Sequence, residues 1–408
     1  MTDSTRATPT DERPLWQFDL LDNYQLPSQP ASGAIADAWH SFRQLFRIPD
    51  KQVTQGVAGA PDLDALTPEQ ANRILPLPGA TPQADALHDT LADWLESPGR
   101  APSAQFVIGQ PDTGMGQALD ILAGRYGATR VSPPSIRQIL AADSGWLDDW
   151  PTDSLWVLPD LEACFLRHVQ GISIIRDFFD RLASGRLGKG IIGCDSWAWA
   201  YLQMIWPVPL PALTLQPFDA PRLYRLLDSL ILPTARPVDF RHAVTGKPVI
   251  AISDSPEQQP ADNAELINMA AQSRGNPAQA LYQWRNRLRT EPEPSDEKGQ
   301  DPKESAGSKT LWLADTPDDP VIPSSSREEH LLVLHTLLLH GGLEATLLPQ
   351  LLPFPDSHCQ WLLARLHQAG LAGPGRDGKW RVSEAAYRPV CQILRGHQFL
   401  LDHFQRAG

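Results

Sequence analysis

QFVIGQPDTGMG, residues 105–116, decides the fold. A short apolar run passes into a turn dense in glycine, proline and aspartate, and GQALDILAGRY (116–126) follows with helical periodicity. The stretch therefore reads as strand, turn and helix, and the same alternation spreads outward from it. TRVS (129–132) is a second strand, ended by Pro133 and Pro134. SLWVLPD (154–160) is a third, KGIIGCDS (189–196) a fourth bounded by glycines, and ALTL (212–215) a fifth. Between the third and fourth, Leu161, Phe165, Val169, Ile172, Phe179 and Leu182 predict one long helix. Short apolar strands alternating with helices predict an α/β fold with a parallel sheet covered on both faces.

The flanks divide by composition. Residues 1–100 form a proline-punctuated arm with two amphipathic helices, one on Ile35, Trp39, Phe42 and Phe46, the other on Leu87, Leu91, Trp94 and Leu95. Trp16 and Phe18 are expected to pack on the chain's own body rather than on a partner. After the core (101–215), residues 216–289 read as mainly helical, a lid on that core. TEPEPSDEKGQDPKESAGSK (290–309) has almost no apolar side chains to offset its ordering entropy, so 290–326 reads as a flexible linker. In 327–408, HLLVLHTLLLHGG, EATLLPQLL and PDSHCQWLLARLHQAGL predict three helices, with Trp361, Leu362 and Leu366 facing inward. GPGRDGKWRVS (373–383) adds a β-turn and strand, and a last helix carries Tyr387, Val390, Leu394 and Leu401. Three helices and a β-wing describe a winged helix.

The turn itself has a chemical reading. Gly109-Gln110-Pro111-Asp112-Thr113-Gly114-Met115-Gly116 resembles the Walker A pattern, in which backbone N–H groups wrap a phosphate, a lysine reaches the terminal phosphates and a hydroxyl binds magnesium. Gly109, Thr113, Gly114 and Gly116 stand where backbone would meet the phosphates, but Met115 replaces the lysine and Gly116 the hydroxyl residue. Asp112 places a negative charge inside the loop. SLWVLPDLE (154–162) resembles a Walker B strand, with Asp160 at the magnesium position and Glu162 as a candidate base. An acid at a strand-to-helix turn equally serves to favour the helix N-terminus. Asp195, at the end of the fourth strand, matches the position of a polar sensor residue.

This order of elements resembles the AAA+/STAND group of P-loop ATPases. The resemblance covers about residues 101–290 and 327–408 and implies a P-loop NTPase-like core with a helical lid and a C-terminal winged helix. It implies ATP or ADP with magnesium as cofactor, held weakly or lost, given Met115 and Gly116. SRGNPAQALYQW (273–284) is similar to the group's second sensor region, which makes Arg274, or Arg285, the candidate substitute cation. Three functions follow: a regulatory or scaffolding pseudo-ATPase that docks a protein partner, an active ATPase using the substitute cation, or a DNA-binding regulator. Residues 327–408 carry eight Lys or Arg against seven Asp or Glu, and the third helix has Arg365 as its one permanent cation, so protein docking is favoured over DNA.

Composition narrows the field further. The net charge of −13 opposes non-specific binding to nucleic acid or anionic lipid. Cys164, Cys194, Cys359 and Cys391 form no CxxC pair, which argues for buried thiols in a reducing compartment. The N-terminus has no apolar signal segment and no stretch has 18 uninterrupted apolar residues, so a cytoplasmic protein is expected. His330, His335 and His340 recur every five residues, about 500° of helix rotation per step, and so share no metal-binding face.

Overall fold

The computed structural model describes residues 13–28, 63–97, 103–207, 210–231, 238–252, 263–291, 309–316, 319–324 and 327–406. The helix expected on Ile35–Phe46 lies outside them. In chain order the strands of the first three hundred or so residues are β1 (Phe18–Leu20), β2 (Asp64–Ala65), β3 (Ala104–Gly109), β4 (Thr129–Arg130), β5 (Trp156–Leu158), β6 (Gly190–Asp195), β7 (Ala212–Leu215), β8 (Val238–His242), β9 (Pro248–Ile252), β10 (Leu288–Thr290) and β11 (Lys309–Leu313). The longer helices among them are α1 (Thr81–Glu96), α2 (Met115–Tyr126), α3 (Ser173–Ala183), α4 (Ser196–Ile205), α5 (Ala220–Leu230), α6 (Ala264–Gln272) and α7 (Pro277–Arg287).

The first sheet runs β1-β7-β3-β6-β5-β4, parallel throughout except for β1, which is antiparallel to β7. All six residues of β3 are buried, as a strand covered on both faces requires. Alternate side chains leave for opposite layers. Val107, Val157, Ile191 and Leu213 pack under α1 and α2. Phe106, Ile108, Trp156, Leu158 and Ile192 pack under α3 and α4. Trp16 and Phe18 are buried, Trp16 edge-on to Phe218 at 5.1 Å, so this part of the N-terminal arm is a piece of the core. The Lys189 Nζ closes the C-terminal end of α1, donating to the carbonyls of Trp94 (2.7 Å), Leu95 (2.8 Å) and Ser97 (3.2 Å).

Two stretches depart from the sequence reading. The long helix expected from Leu161 begins only at Ser173: residues 161–164 make a 3-10 turn, Phe165 is extended, and Val169 is fully outside the core. Gly171 lies so close to the Leu166 carbonyl that a Cβ there would stand 2.6 Å from it, and this close approach folds the chain back before the helix starts. The second departure is a second sheet, β2-β10-β11-β8-β9, in which β8 and β11 run parallel. The β8–β9 hairpin falls in the stretch read as helical lid, and β11 falls in the stretch read as linker. Val238, Phe240, Ile250, Ile252, Leu311 and Leu313 face one cluster with Trp284. Asp239 and Arg241 alternate with Val238 and Phe240, the two-residue period of a half-buried strand, which the helical reading of 216–289 passed over.

The C-terminal unit consists of α8 (Arg327–Leu339), a short helical segment over 345–351, α9 (Asp356–Gln368), the hairpin β12 (Ala372–Pro374) and β13 (Trp380–Val382), and α10 (Glu384–Gly396). Leu343 bridges to Trp380, adding a third rung beside the hairpin. Leu362 and Leu366 are buried as expected, but Trp361 is 42% exposed and stacks on His358 instead. The unit does not hang free. Trp197, Ile139, Leu166 and Ile174 from the parallel-sheet body share one buried cluster with Leu331, Leu334, Leu338 and Tyr387. Trp197 Nε1 donates to Tyr387 Oη at 3.1 Å, and Ser196 Oγ donates to Asp402 Oδ2 at 2.7 Å. His330, His335 and His340 are all buried, each against different neighbours: Trp361, Trp197 with Phe399, and Phe165. Among the described residues no helix is long and apolar enough to cross a membrane.

Candidate functional site

The site begins where β3 ends. Asp112 (φ 65°) and Gly114 (φ 75°) both take left-handed backbone, which turns the chain from the strand into α2 within five residues. The loop is pinned from several sides. The Thr113 backbone N–H and Oγ1 donate to the Gln110 carbonyl at 3.3 and 2.7 Å, so the hydroxyl is spent inside the loop. Gln83 of α1 donates to the Thr113 carbonyl (2.8 Å), and Asn276 donates to the Pro111 carbonyl (3.1 Å). Gln110 Nε2 donates to Tyr24 Oη (3.0 Å), and Tyr24 Oη donates to the Arg274 carbonyl (2.6 Å). No side chain caps α2, whose first-turn N–H groups therefore keep their polarity at the loop.

Met115 is 7% exposed and belongs to the core with Leu119 and Leu122. Its Cβ approaches Gly109 so closely that a side chain on Gly109 would begin 2.8 Å away. The position where the Walker A pattern has lysine thus feeds the core. A Cβ on Gly116 would stand 3.2 Å from Asp160 Oδ1, so the structure brings this acid over the first turn of α2. Asp160 is joined by Arg130 Nη2 at 3.4 Å, and Arg130 in turn holds Asp120 at 2.6 Å. Burial raises the Asp160 carboxyl, and Arg130 opposes the rise.

Asp195 stands opposite Gly109 in the β3–β6 register. Its Oδ1 caps α4 by accepting the Trp197 N–H at 2.8 Å, and its own N–H donates to Glu162 Oε2 at 3.0 Å. Burial, with the facing acid, pushes Asp195 well above the ordinary carboxylate range, and burial with Asp160 lifts Glu162 to about 7. Asp160 thus lies over Gly116, Asp195 stands opposite Gly109, and Glu162 is bonded to Asp195. Arg274 does not join them. Its Nε donates to the Phe404 carbonyl at 2.5 Å, and Arg285 is bonded to Asn72.

The cations that do face the loop come from the hairpin of the C-terminal unit. Lys379 acts on Asp160 and Glu162, and Arg381 on Asp112. Arg381 is bound at both nitrogens by Asp377 (2.7 and 2.6 Å), and its Nε donates to the Gly341 carbonyl at 3.1 Å. The chain matches no family model, and no curated protein is similar enough to count as a relative. Backbone polarity at α2 suits an anion, whereas the acids around it oppose a polyphosphate unless a cation neutralises them. Among the described residues no group of three or more His, Cys, Asp or Glu is set to hold a metal ion.

The sequence missed the residues that fix the loop. Tyr24 and Gln83 lie far upstream with no motif around them. Asn276 had a signal, the Gly-Asn-Pro turn: it caps α7 with Oδ1 and reaches the loop with Nδ2.

Proposed function

We propose that this protein is a regulatory or scaffolding pseudo-ATPase of the cytoplasm, built on a degenerate P-loop NTPase-like core, which docks a protein partner through a C-terminal winged helix. The observation that carries this reading is Met115. A glycine-rich loop lies between a parallel strand and a helix, at the carboxyl edge of the sheet where α/β proteins bind ligands, yet Met115, at the position that resembles the Walker A lysine, is buried among leucines. Losing a cation at developing phosphate charge commonly costs several kcal/mol of transition-state stabilisation. Asp160 beside Gly116 keeps the acid of a magnesium site without the hydroxyl that would share the ion. Docking to protein rather than DNA is supported by Arg381, already engaged by Asp377 and Gly341, and by Trp361, an exposed aromatic on α9.

Calorimetric titration with ATP and ADP, with and without magnesium, tests the reading. Negligible turnover and binding weaker than about 1 mM are expected, beyond the roughly 1 μM–1 mM range usual for enzyme substrates. Turnover at ordinary ATPase rates that is abolished by Asp160→Asn would overturn it.

A further inference from the structure

We propose that the groove of about 470 Å³ between β1 and α4 binds a primary ammonium ligand that carries an apolar body and a carbonyl acceptor. The groove shares no lining residue with loop 109–116, so the inference is independent of the function proposed above. Its walls are mainly hydrocarbon: Leu20 and Leu21 where β1 ends, Ala200 on α4, and Leu210 and Ala212 where β7 begins. Leu20 is 42% exposed, so apolar surface stands uncovered here.

Two polar groups on this lining have no partner among the described residues. Asp22, in the turn after β1, is an exposed carboxylate with no hydrogen bond or ion pair, and no Lys or Arg lines the groove to neutralise it. Trp199 is 5% exposed, and its ring rests on Phe106 at 4.8 Å, which fixes the indole in place. Its Nε1 donates to no protein atom, yet it is not closed off from solvent as the Trp150 and Trp284 nitrogens are. The small exposed part of this side chain lies on the groove it lines, so the N–H opens there. Gln203 and His403, the other polar lining residues, have interactions of their own. An ionised carboxylate only accepts and calls for a cation, whereas an indole N–H only donates and calls for an acceptor. A ligand that meets both, and covers the hydrocarbon between them, has an ammonium group, a carbonyl oxygen and an apolar side chain. The charge-assisted bond to Asp22 is the stronger contact, and the indole N–H sets the orientation. A dry cavity of about 150 Å³ accepts benzene, so this groove has room for a ring and an amide.

Titration of phenylalaninamide and of leucinamide into the full chain tests this, each beside its N-acetylated form, which keeps the carbonyl and loses the charge. At least one amine is expected to bind saturably at one site, about tenfold or more tighter than its acetylated form. Asp22→Asn, a change at an exposed position, is expected to remove that difference. Trp199→Phe keeps a ring and loses the N–H, and is expected to weaken both forms alike, by about threefold or more. If that variant fails to fold, Asp22→Asn decides alone. Phenylalanylglycinamide separates the two sources of this chemistry: binding as tight as that of phenylalaninamide assigns the first residue of a chain, and binding about tenfold weaker assigns a free small molecule. Absence of saturable binding by both amines, equal binding of amine and acetylated form, discrimination retained in Asp22→Asn, or unaltered binding by a folded Trp199→Phe would each overturn the proposal.

Discussion

At Glu162, burial and the neighbouring Asp160 carboxylate both favour the proton, lifting its pKa from 4.5 to about 7. The folded state therefore binds this proton more tightly than the unfolded chain. Its contribution to stability is fully present below about pH 4.5 and is lost as pH rises through about 7, a total on the order of 3 kcal/mol. Asp195 shifts in the same direction and adds to the slope. Urea unfolding at pH 5 and at pH 7.5 should show the wild-type chain losing stability between the two. Glu162→Gln should lose clearly less, because the amide supplies the neutral form at every pH. Equal slopes for both chains would refute the assignment.

Among the elements, α1 shows what one half-buried ammonium does for a helix end. The Lys189 Nζ donates to three carbonyls and lies 4.7 Å from the Trp94 ring centroid, so it both caps α1 and packs on it. Lys189→Met should cost about 1.5–3 kcal/mol and speed amide exchange over the last turn of α1. The elements also show what sequence patterns reveal. β3, β5, β6 and β7 were legible because strands covered on both faces carry mainly apolar runs, whereas β4 is exposed and is legible only from its place before Pro133. The β8–β9 hairpin carried the alternation of a half-buried strand in Val238–His242, but the run is short and lies among helices, so the helical reading overran it. The helix from Leu161 was overextended because an apolar stripe continued through Gly171, whose need is a close backbone contact rather than a periodicity. Trp361 was assigned inward by its spacing from Leu362 and Leu366, yet ring stacking on His358 holds it outside. Of the candidate site, acids at strand ends were readable, whereas the hydrogen bonds from Tyr24 and Gln83 join residues 86 and 30 positions apart in sequence.

For the molecule as a whole, the buried cluster around Trp197 makes the parallel-sheet body and the C-terminal unit one packed object. A chain cut at a protease site inserted near residue 318, after β11, should still elute at the size of the intact protein. Trp197→Ala, which removes a side chain at 1% exposure, should cost about 3–5 kcal/mol and let the cut pieces separate. Separation of the unmutated pieces would show that the cluster does not hold the two bodies together.

The second sheet has a consequence for how the chain is made. Its strands come from residues 64–65, 238–252, 288–290 and 309–313, and their apolar faces close the same cluster that lies under α1 and α2. During synthesis the parallel strands are complete once residue 215 has emerged, but β11 arrives only with residue 313. At roughly 5–20 residues per second, that interval lasts about 5–20 s. Within it, Val238, Phe240 and Trp284 emerge ahead of the strand that completes their cover, which leaves an apolar flank open on the nascent chain until β11 arrives.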